Sequence, residues 1–244
     1  MPKFFISKDN IEGSTLFIDG DDARHIARSL RMAVGDIIEV SDGVGEDYSA
    51  RLSRIRDERV DAEIIEKRRS PAEPPVAVTL YMAYPKGDKL ETVIQKSVEL
   101  GCVRIVPFES SRCIKRPSSD KAEAKRTRLS RIALEAAKQC GRGIIPTVGN
   151  VTDLRKVIDS LEPDALNILP YENEDHRRLR QAMSGYSGDK VNIIIGPEGG
   201  FDPAEISAAE SKGIHIVTLG PRILRTETAP IAAISAIMYE LGDW

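Results

Sequence analysis

The chain has 244 residues, of which 41% are hydrophobic and 30% charged, with a formal net charge of −3. This composition is that of an ordinary globular protein with one large domain or two modest ones. No run approaches eighteen apolar residues and the N-terminus is too polar for a signal peptide, which argues against membrane insertion and secretion. The three cysteines lack CxxC spacing and the three histidines are scattered. The sequence therefore predicts reduced thiols, a cytoplasmic location and no metal site.

The N-terminal part is dominated by short segments of alternating apolar and polar residues. Turn pairs at Asp19-Gly20 and Asp42-Gly43 separate some of them, and this pattern predicts a small β-barrel. One segment, residues 21–32, has helical spacing instead. The charged and then proline-rich stretch Lys67–Val76 predicts a linker. We therefore expect one domain over residues 1–72 and a second over residues 73–244.

In the second part, predicted strands alternate with predicted helices, which indicates a mostly parallel sheet. The predicted strands are 76–84, 103–108, 165–170, 191–195 and 215–219, and the predicted helices are 90–101, 119–139, 152–160, 175–183, 203–213 and 230–241. The last helix is apolar or small almost all round, which predicts burial in a core or an interface.

The stretch VNIIIGPEGGF, residues 191–201, joins a predicted buried strand to a helix through a glycine loop. The residues Asp202–Glu205 that follow have the pattern of a helix N-terminus with a capping box. The loop matches neither the G-x-G-x-x-G fingerprint nor a P-loop. Pro197 removes a backbone donor and Glu198 adds negative charge, so the loop favours a neutral or cationic ligand over a phosphate. A tight turn that needs positive φ is the purely structural alternative.

A second glycine loop lies in HIVTLGPRILRTETAP, residues 215–230, between a strand and the last helix. Two such loops at the carboxyl ends of strands can form the walls of one pocket. Arg222, Arg225 and Glu227 would project from the second wall, and Thr228 or Ala229 would cap the helix.

A basic segment precedes these loops. Residues 112–142 contain ten Lys or Arg and only three acidic residues. This local excess of positive charge fits either a surface for nucleic-acid phosphates or a solvated helix face.

The motif GPEGGF at 196–201, followed by LGPRILRTETA at 219–229 and an Ala-rich helix, resembles the SPOUT class of RNA methyltransferases. More narrowly, it resembles the RsmE family, which methylates N3 of a uridine in 16S ribosomal RNA. The likeness extends to residues 25–36, 86–101 and 135–142 and so covers nearly the whole chain. Where the family usually has EAAEQ this chain has EAAKQ, so Lys138 adds positive charge near the expected RNA side.

The resemblance implies an α/β fold with a C-terminal SPOUT α/β trefoil-knot methyltransferase domain and an N-terminal PUA-like β-barrel that binds RNA. It implies S-adenosyl-L-methionine as the methyl donor, bent among three loops, and no metal. Carried over to this sequence, the donor-binding residues are Leu169, Pro170, Tyr171, Gly196, Pro197, Glu198, Gly199, Gly200, Leu219, Gly220, Ile223, Leu224, Arg225, Thr228 and Ala229.

The resemblance also implies a homodimer that acts on 16S ribosomal RNA of the small ribosomal subunit, away from any membrane. His25 and Arg31 are predicted RNA contacts in the barrel, although His25 could instead pack on the barrel. Arg112, Gln139 and Arg142 are predicted to line the entrance for the RNA strand.

For catalysis, uridine N3 must lose a proton and be oriented toward the methyl group. We predict that Arg225 stabilises charge on the flanking carbonyl oxygens and that Glu227 acts as the base or orients it. An Arg225–Glu227 ion pair that only shapes the knot is the alternative. Three other functions stay open: an RNA-binding protein without activity, a nucleotide-dependent oxidoreductase, and a SPOUT enzyme for ribose 2′-O.

Overall fold

The structure, a computed structural model, describes residues 3–113 and 122–244. The chain divides into two compact units. The first contains the residues up to Glu73 together with Ala137–Ile145, and the second contains Pro74–Ala136 and Pro146–Trp244. The chain therefore enters the first unit twice, while the domain boundary at residues 72 and 73 stays a prediction. Among the described residues, no helix combines the length and the apolar character that crossing a membrane requires.

The first unit is built on a sheet with the strand order β1-β4-β5-β6-β3-β2. Its strands are β1 (Lys3–Phe5), β2 (Ile11–Glu12), β3 (Thr15–Asp19), β4 (Ile37–Ser41), β5 (Glu46–Ile55) and β6 (Arg59–Arg69). Among the described strands of this sheet, β1 and β4 pair in parallel and the other neighbours are antiparallel. Alternate side chains such as Phe4, Ile38 and Leu52 form a buried core, as the period-two pattern predicts. Strand β6 extends to Arg69, so it takes up the first residues of the predicted linker.

The predicted helix at residues 21–32 is shorter and less regular than its spacing suggests. Helix α1 (Gly20–Arg24) passes directly into a π-helical turn, His25–Ser29. Ala23 and Ile26 are buried, which explains the apolar spacing. The turn ends before Arg31, which adopts a positive φ of 51°.

The second unit is built on a parallel sheet, as predicted, with the order β10-β8-β7-β12-β11-β13 and β9 beside β8. Its strands are β7 (Ala77–Ala83), β8 (Arg104–Glu109), β9 (Thr147–Val148), β10 (Thr152–Asp153), β11 (Leu166–Pro170), β12 (Lys190–Ile195) and β13 (His215–Val217). Its helices are α2 (Lys89–Glu99), α3 (Ala122–Cys140, whose last four residues belong to the first unit), α4 (Leu154–Ser160), α5 (Leu179–Met183), α6 (Pro203–Ser211) and α7 (Thr228–Leu241).

Helix α5 begins four residues later than predicted. The side chain of Glu174 accepts hydrogen bonds from the backbone N–H groups of His176 and Arg177, at 2.7 and 2.8 Å. The carbonyl of Arg177 in turn accepts a hydrogen bond from Thr218. These contacts hold residues 176–178 in an extended connection, because their backbone groups are bonded outside a helix.

Two further features of the sheet position the site. Asn192, a polar residue inside buried β12, donates to Asn167 Oδ1 on β11 at 2.8 Å, so the two amides satisfy each other in the core. Strand β11 lies between β12 and β13, with Ile168 opposite both Ile193 and His215. The loops that follow the three strands are therefore neighbours at the carboxyl edge of the sheet. The knotted threading of these loops stays a prediction.

Candidate functional site

A cavity of about 630 Å³ opens where β11, β12 and β13 end. Thirteen of the fifteen residues predicted to bind the donor line it: Pro170, Tyr171, Gly196, Pro197, Glu198, Gly199, Gly200, Leu219, Gly220, Ile223, Leu224, Arg225 and Ala229. The predicted convergence of the glycine loops on one pocket is thus confirmed. Donor binding by the individual residues stays a prediction.

Two predicted donor contacts do not line the cavity. Leu169 is fully buried and packs in the hydrophobic core with Ile194, so its side chain has a structural role. Thr228 is exposed and is the first residue of α7, where its N–H donates to the carbonyl of Arg225. The N-cap position of that helix is occupied by Glu227, so the prediction that Thr228 or Ala229 caps it is wrong.

Six lining residues lie outside the three predicted loops: Lys89, Glu172, Asp175, Ile195, Phe201 and Thr218. Five of these directly adjoin or closely follow a predicted loop, so a wider window around each motif would have included them. Lys89 comes from the start of α2, about eighty residues earlier than the nearest loop in the chain; the resemblance includes its segment, 86–101, but did not indicate a role at the site.

The glycine loop after β12 begins and ends in tight contacts. Gly200 has a φ of 69°, and a Cβ there would stand 2.0 Å from Glu172 Oε1. A Cβ on Gly196 would stand 2.9 Å from the ring of Phe201. The positive φ at Gly200 favours glycine, and a Cβ there would displace the carboxylate of Glu172, whereas a Cβ on Gly196 would force the ring of Phe201 to shift.

Helix α6 fixes the far end of this loop. The Asp202 carboxylate accepts from the N–H of Ala204 at 3.0 Å, and Glu205 accepts from the N–H of Asp202 at 2.9 Å. This reciprocal pair is the capping box that the sequence predicted, with Pro203 in the first turn. The loop is thus anchored at the point where the chain turns into the helix.

The two glycine loops are joined directly. Thr226 is buried, and its hydroxyl donates to the carbonyl of Gly196 at 3.0 Å. The carbonyl of Arg225 accepts from the N–H groups of Thr228 and Ala229, at 2.8 and 2.9 Å. These bonds fix the backbone of Arg225 while its side chain stays exposed at the cavity wall.

The two acidic residues of the loops share one cation. Lys89 Nζ lies 3.2 Å from Glu198 Oε1 and 3.1 Å from Glu227 Oε2. The ion pair with Glu227, followed by the hydrogen bond to Glu198, raises the pKa of Lys89 above its ordinary value. Among the ion pairs of the described residues, Glu227 pairs with Lys89 and not with Arg225. No ion pair between Arg225 and Glu227 among the described residues therefore supports the alternative in which this pair only shapes the loop.

Both carboxyls are ionised near neutral pH. The hydrogen bond from its own backbone N–H, assisted by Lys89, lowers the pKa of Glu227. Burial works to raise the pKa of Glu198, but the backbone N–H groups of Glu198 and Lys86 and the ammonium of Lys89 outweigh it and lower that pKa. A carboxylate with a lowered pKa is a weak proton acceptor, which favours an orienting role for Glu227 over a role as base.

The predicted RNA contacts of the first unit fall into two groups. His25, Arg31 and Gln139 are exposed, so they are available to a ligand, and His25 does not pack in the core. The prediction that Arg142 lines an entrance for RNA requires an accessible side chain, but the side chain of Arg142 is only 3% exposed. Its guanidinium forms an ion pair with Glu73, with Nη2 2.6 Å from Oε2, and this pair satisfies it inside the unit.

Two other basic residues have partners that the sequence did not indicate. Lys138 Nζ lies 2.8 Å from Asp22 Oδ1, so its charge is offset within the first unit and is not a free surface charge. Arg112, in the second unit, donates to the carbonyl of Gly199 at 3.3 Å and pairs with Asp202 at 3.2 Å. Its exposed guanidinium thus supports the glycine loop. Residues 114–121 of the basic segment lie outside the described residues.

The residues of the cavity fit the predicted methyl donor. The cavity has the size of a small-molecule site, and its lining carries charges of both signs: the carboxylates Glu172, Asp175 and Glu198 suit a sulfonium and an ammonium group, and the cations Lys89, Arg222 and Arg225 suit a carboxylate. The backbone of the loops approaches the cavity without intervening side chains at Gly199 and Gly220. A nucleotide phosphate at the glycine loop would lie beside the carboxylate of Glu198, which is unfavourable, as the sequence of the loop indicated.

Comparisons with known proteins agree with this site. Residues 72–238 match the family model described as an RNA methyltransferase domain, and residues 18–65 match an RNA methyltransferase PUA domain. Ribosomal RNA small subunit methyltransferase E of Bacillus subtilis is 34% identical over 98% of this chain and 97% of its own length.

Two solved structures are similar over nearly all of both chains. The Neisseria gonorrhoeae ribosomal RNA small subunit methyltransferase E bound to S-adenosyl methionine has a TM-score of 0.89 and 32% identity, and covers 100% of this chain and 99% of its own. A Legionella pneumophila methyltransferase in complex with the same cofactor has a TM-score of 0.81 and 28% identity, with 99% and 98% covered. The chain belongs to the ribosomal RNA small subunit methyltransferase E family.

Proposed function

We propose that this protein transfers a methyl group from S-adenosylmethionine to N3 of one uridine in 16S ribosomal RNA. The observation that carries the proposal is the cavity at the ends of β11, β12 and β13, which the two glycine loops line and which has Arg225 at its edge. The names of the relatives and the cofactor in two similar structures support the methyl donor and the class of RNA. N3 of uridine rests on the resemblance of the loop motifs.

The loops bind and orient the donor. Gly196–Gly200 and Leu219–Leu224 offer backbone groups to an adenosine, and Glu172 and Asp175 offer carboxylates to positive groups. When bound, S-adenosylmethionine supplies a methyl group that its positive sulfur makes electrophilic. The Thr226–Gly196 hydrogen bond keeps the two walls at a fixed separation, which limits the positions that the reacting groups can take.

The side chains at the wall act on the uracil. When the N3 proton leaves to a base, negative charge spreads over N3 and the flanking carbonyl oxygens. The N3–methyl bond then forms as the bond from the methyl group to sulfur breaks, and the charge is neutralised. The exposed guanidinium of Arg225 provides a permanent planar donor for these oxygens. Glu227, held at the N-terminus of α7 by Lys89, orients the groups around Arg225.

The rest of the molecule supports RNA binding and assembly. We assign RNA binding to residues 1–72, where His25 and Arg31 are exposed, and the methyl transfer to residues 73–244. We further propose a cytoplasmic homodimer that contacts RNA through Arg112 and Gln139 as well. The exposed side chains of Tyr239 on α7 and of Trp244, three residues beyond that helix, favour such an interface, since they are 72% and 60% exposed.

Two measurements test the proposal. Small-subunit ribosomal RNA incubated with the protein and labelled donor should gain one methyl group, which mass mapping should place on a uracil base. A methyl group on a ribose 2′-oxygen would replace the proposed reaction by the alternative of the same class. The donor should also raise the melting temperature, by the equivalent of about 2.7 kcal/mol at a hundred times its dissociation constant. NAD should leave it unchanged, and no shift with the donor would refute the cavity as its site.

A further inference from the structure

Lys89 makes a contact that nothing in its local sequence explains. It is the first residue of α2, its side chain is 35% exposed, and it lines the cavity. Its ammonium reaches one carboxylate on each glycine loop, Glu198 at 3.2 Å and Glu227 at 3.1 Å. These carboxylates are themselves only 24% and 25% exposed. One cation thus joins the two walls of the site.

The start of α2 strengthens this connection. The backbone N–H of Lys86 donates to the same Glu198 Oε1 that Lys89 contacts, at 3.2 Å. Two half-buried carboxylates that both lie within reach of one ammonium are close to each other, and without the cation they would repel. Their repulsion would act on the loop that begins at Gly196 and on the loop that presents Arg225.

The charge of Lys89 also affects which ligand the cavity prefers. Glu172, Asp175 and Glu198 line it, against the cations Lys89, Arg222 and Arg225. Methyl transfer converts the positive sulfur of the donor into a neutral thioether, so donor and product differ by one positive charge. The electrostatic potential of the walls therefore discriminates between them, and a residue that offsets a carboxylate reduces this discrimination.

We propose that Lys89 is a positioning residue that holds the two donor loops together and limits the preference of the cavity for the charged donor over the neutral-sulfur product. This inference rests on the proposed function, because it takes S-adenosylmethionine as the ligand. Its consequence is that Lys89 keeps the loop of Arg225 in place for the transfer and allows the product to leave.

The test compares Lys89→Met with Lys89→Arg and with Lys96→Met. Lys96 lies on the same helix and pairs with Glu99 at 2.8 Å, but it does not line the cavity, so it is a matched control. Calorimetry would give the dissociation constants of S-adenosylmethionine and S-adenosylhomocysteine. Turnover and KM would be measured with small-subunit ribosomal RNA at saturating donor.

Lys89→Met should raise the preference for donor over product about fivefold. This is the expected effect of removing one positive charge at roughly 8 Å from the positive sulfur in a partly solvated cavity. High salt should reduce this increase. Turnover should fall about tenfold with KM for RNA nearly unchanged, because a small displacement of Arg225 reduces the rate of the transfer more than the binding of RNA. Lys89→Arg and Lys96→Met should behave like the wild type. The double variant Lys89→Met with Glu198→Gln should return the donor preference toward the wild-type ratio, because it removes one charge of each sign.

Equal losses of affinity for donor and product, with an unchanged ratio, would overturn the proposal and leave Lys89 as a support of the fold. So would a double variant that keeps the raised donor preference. If Lys89→Met does not fold, Lys89→Gln carries the same comparison with a polar side chain. A wild-type protein that binds neither ligand would refute the proposed function itself, which separates the two failures.

Discussion

At the scale of single residues, the site depends on how side chains are held as well as on which side chains are present. Arg225 has a backbone fixed by two hydrogen bonds to the start of α7 and a side chain that stays exposed. Thr226, its neighbour, is buried and bonded to Gly196. Of two adjacent residues of one motif, one is thus exposed at the cavity wall and the other is buried, a distinction that depends on the direction of each side chain.

Arg225→Ala should therefore separate chemistry from donor binding. We expect turnover to fall about a hundredfold or more, equivalent to about 2.7–4 kcal/mol, because a donor to the developing oxyanion is lost. The dissociation constant of the donor should stay within a few-fold, since the backbone that lines the cavity is unchanged. Steady-state kinetics and calorimetry would check both values. Normal turnover with weakened donor binding would show that Arg225 is structural.

The acidic residues around Lys89 predict how stability depends on pH. The pKa values of Glu198 and Glu227 both lie below the ordinary value of 4.5. Their contribution to the free energy of unfolding is therefore complete above that pH and is lost as the pH falls through the lower folded-state values. Thermal melts should show the wild type losing more stability below pH 4.5 than the variant with Glu198→Gln and Glu227→Gln. Parallel curves for the two proteins would contradict the pairing.

At the scale of elements, the strand-to-helix connections carry the site. Three contacts hold the loop from β12 to α6: the capping box at Asp202, the hydrogen bond from Arg112 to the carbonyl of Gly199, and the hydrogen bond from Thr226 to the carbonyl of Gly196. The loop from β13 to α7 shares this last bond. Because parallel strands end at one edge, such loops gather ligands there, and their glycines permit the close approach of backbone and neighbours.

Gly200→Ala tests whether that close approach matters for the ligand. The positive φ of 69° should cost about 1–2 kcal/mol of stability, and the added Cβ would displace Glu172 from beside the cavity. We expect weaker donor binding in calorimetry together with a lower melting temperature.

Gly213→Ala is the matched control for this variant. Gly213 follows α6 with a φ of 76°, and a Cβ added there would meet no described atom within 4 Å. The variant should lose similar stability and keep the donor affinity of the wild type. Equal donor affinities in the two variants would mean that the contact with Glu172 plays no part in binding.

At the scale of the whole molecule, the chain is more interleaved than a simple order of two domains. The segment Ala137–Ile145 belongs to the first unit, although it follows the first part of the second unit in sequence. Glu73 secures it by accepting hydrogen bonds from Arg142, from Gly143 at 2.7 Å and from Ile144 at 3.0 Å. Lys3 adds a bond to the carbonyl of Gly141 at 2.9 Å.

Glu73→Gln should therefore destabilise the first unit by about 3 kcal/mol, because it removes the negative charge that Glu73 places against the buried guanidinium of Arg142. Amide hydrogen exchange in β4, β5 and β6 would report the change. Donor affinity should be unaffected, since every residue that lines the cavity lies in the second unit.

Glu66→Gln is the control for Glu73→Gln, because it removes a carboxylate at an exposed position of β6. Glu66 is 60% exposed and lies 3.5 Å from Arg68, so its loss should cost less than about 1 kcal/mol. Equal protection of the sheet amides in the two variants would show that the buried pair does not hold the segment Ala137–Ile145 in place.

The sequence by itself determined the five longer strands of the second part, the parallel character of its sheet, and the two glycine loops of the site. It missed the two-residue strands β9 and β10, and β10 occupies the first two residues of the helix predicted at 152–160. The features that it determined follow from local periods, turn residues and capping patterns, which act over a few residues. The resemblance of GPEGGF and LGPRILRTETA likewise depends on contiguous motifs, and it led to the family.

Only the tertiary structure decided which side chains face the cavity and which are buried in the fold. Arg142 is basic in sequence but buried against Glu73, and Leu169 lies within a donor motif but points into the core. Lys89 is distant in sequence from both loops and nevertheless joins them. Local patterns do not encode such pairings, because the contacts form between residues that are brought together only when the sheet and its helices pack.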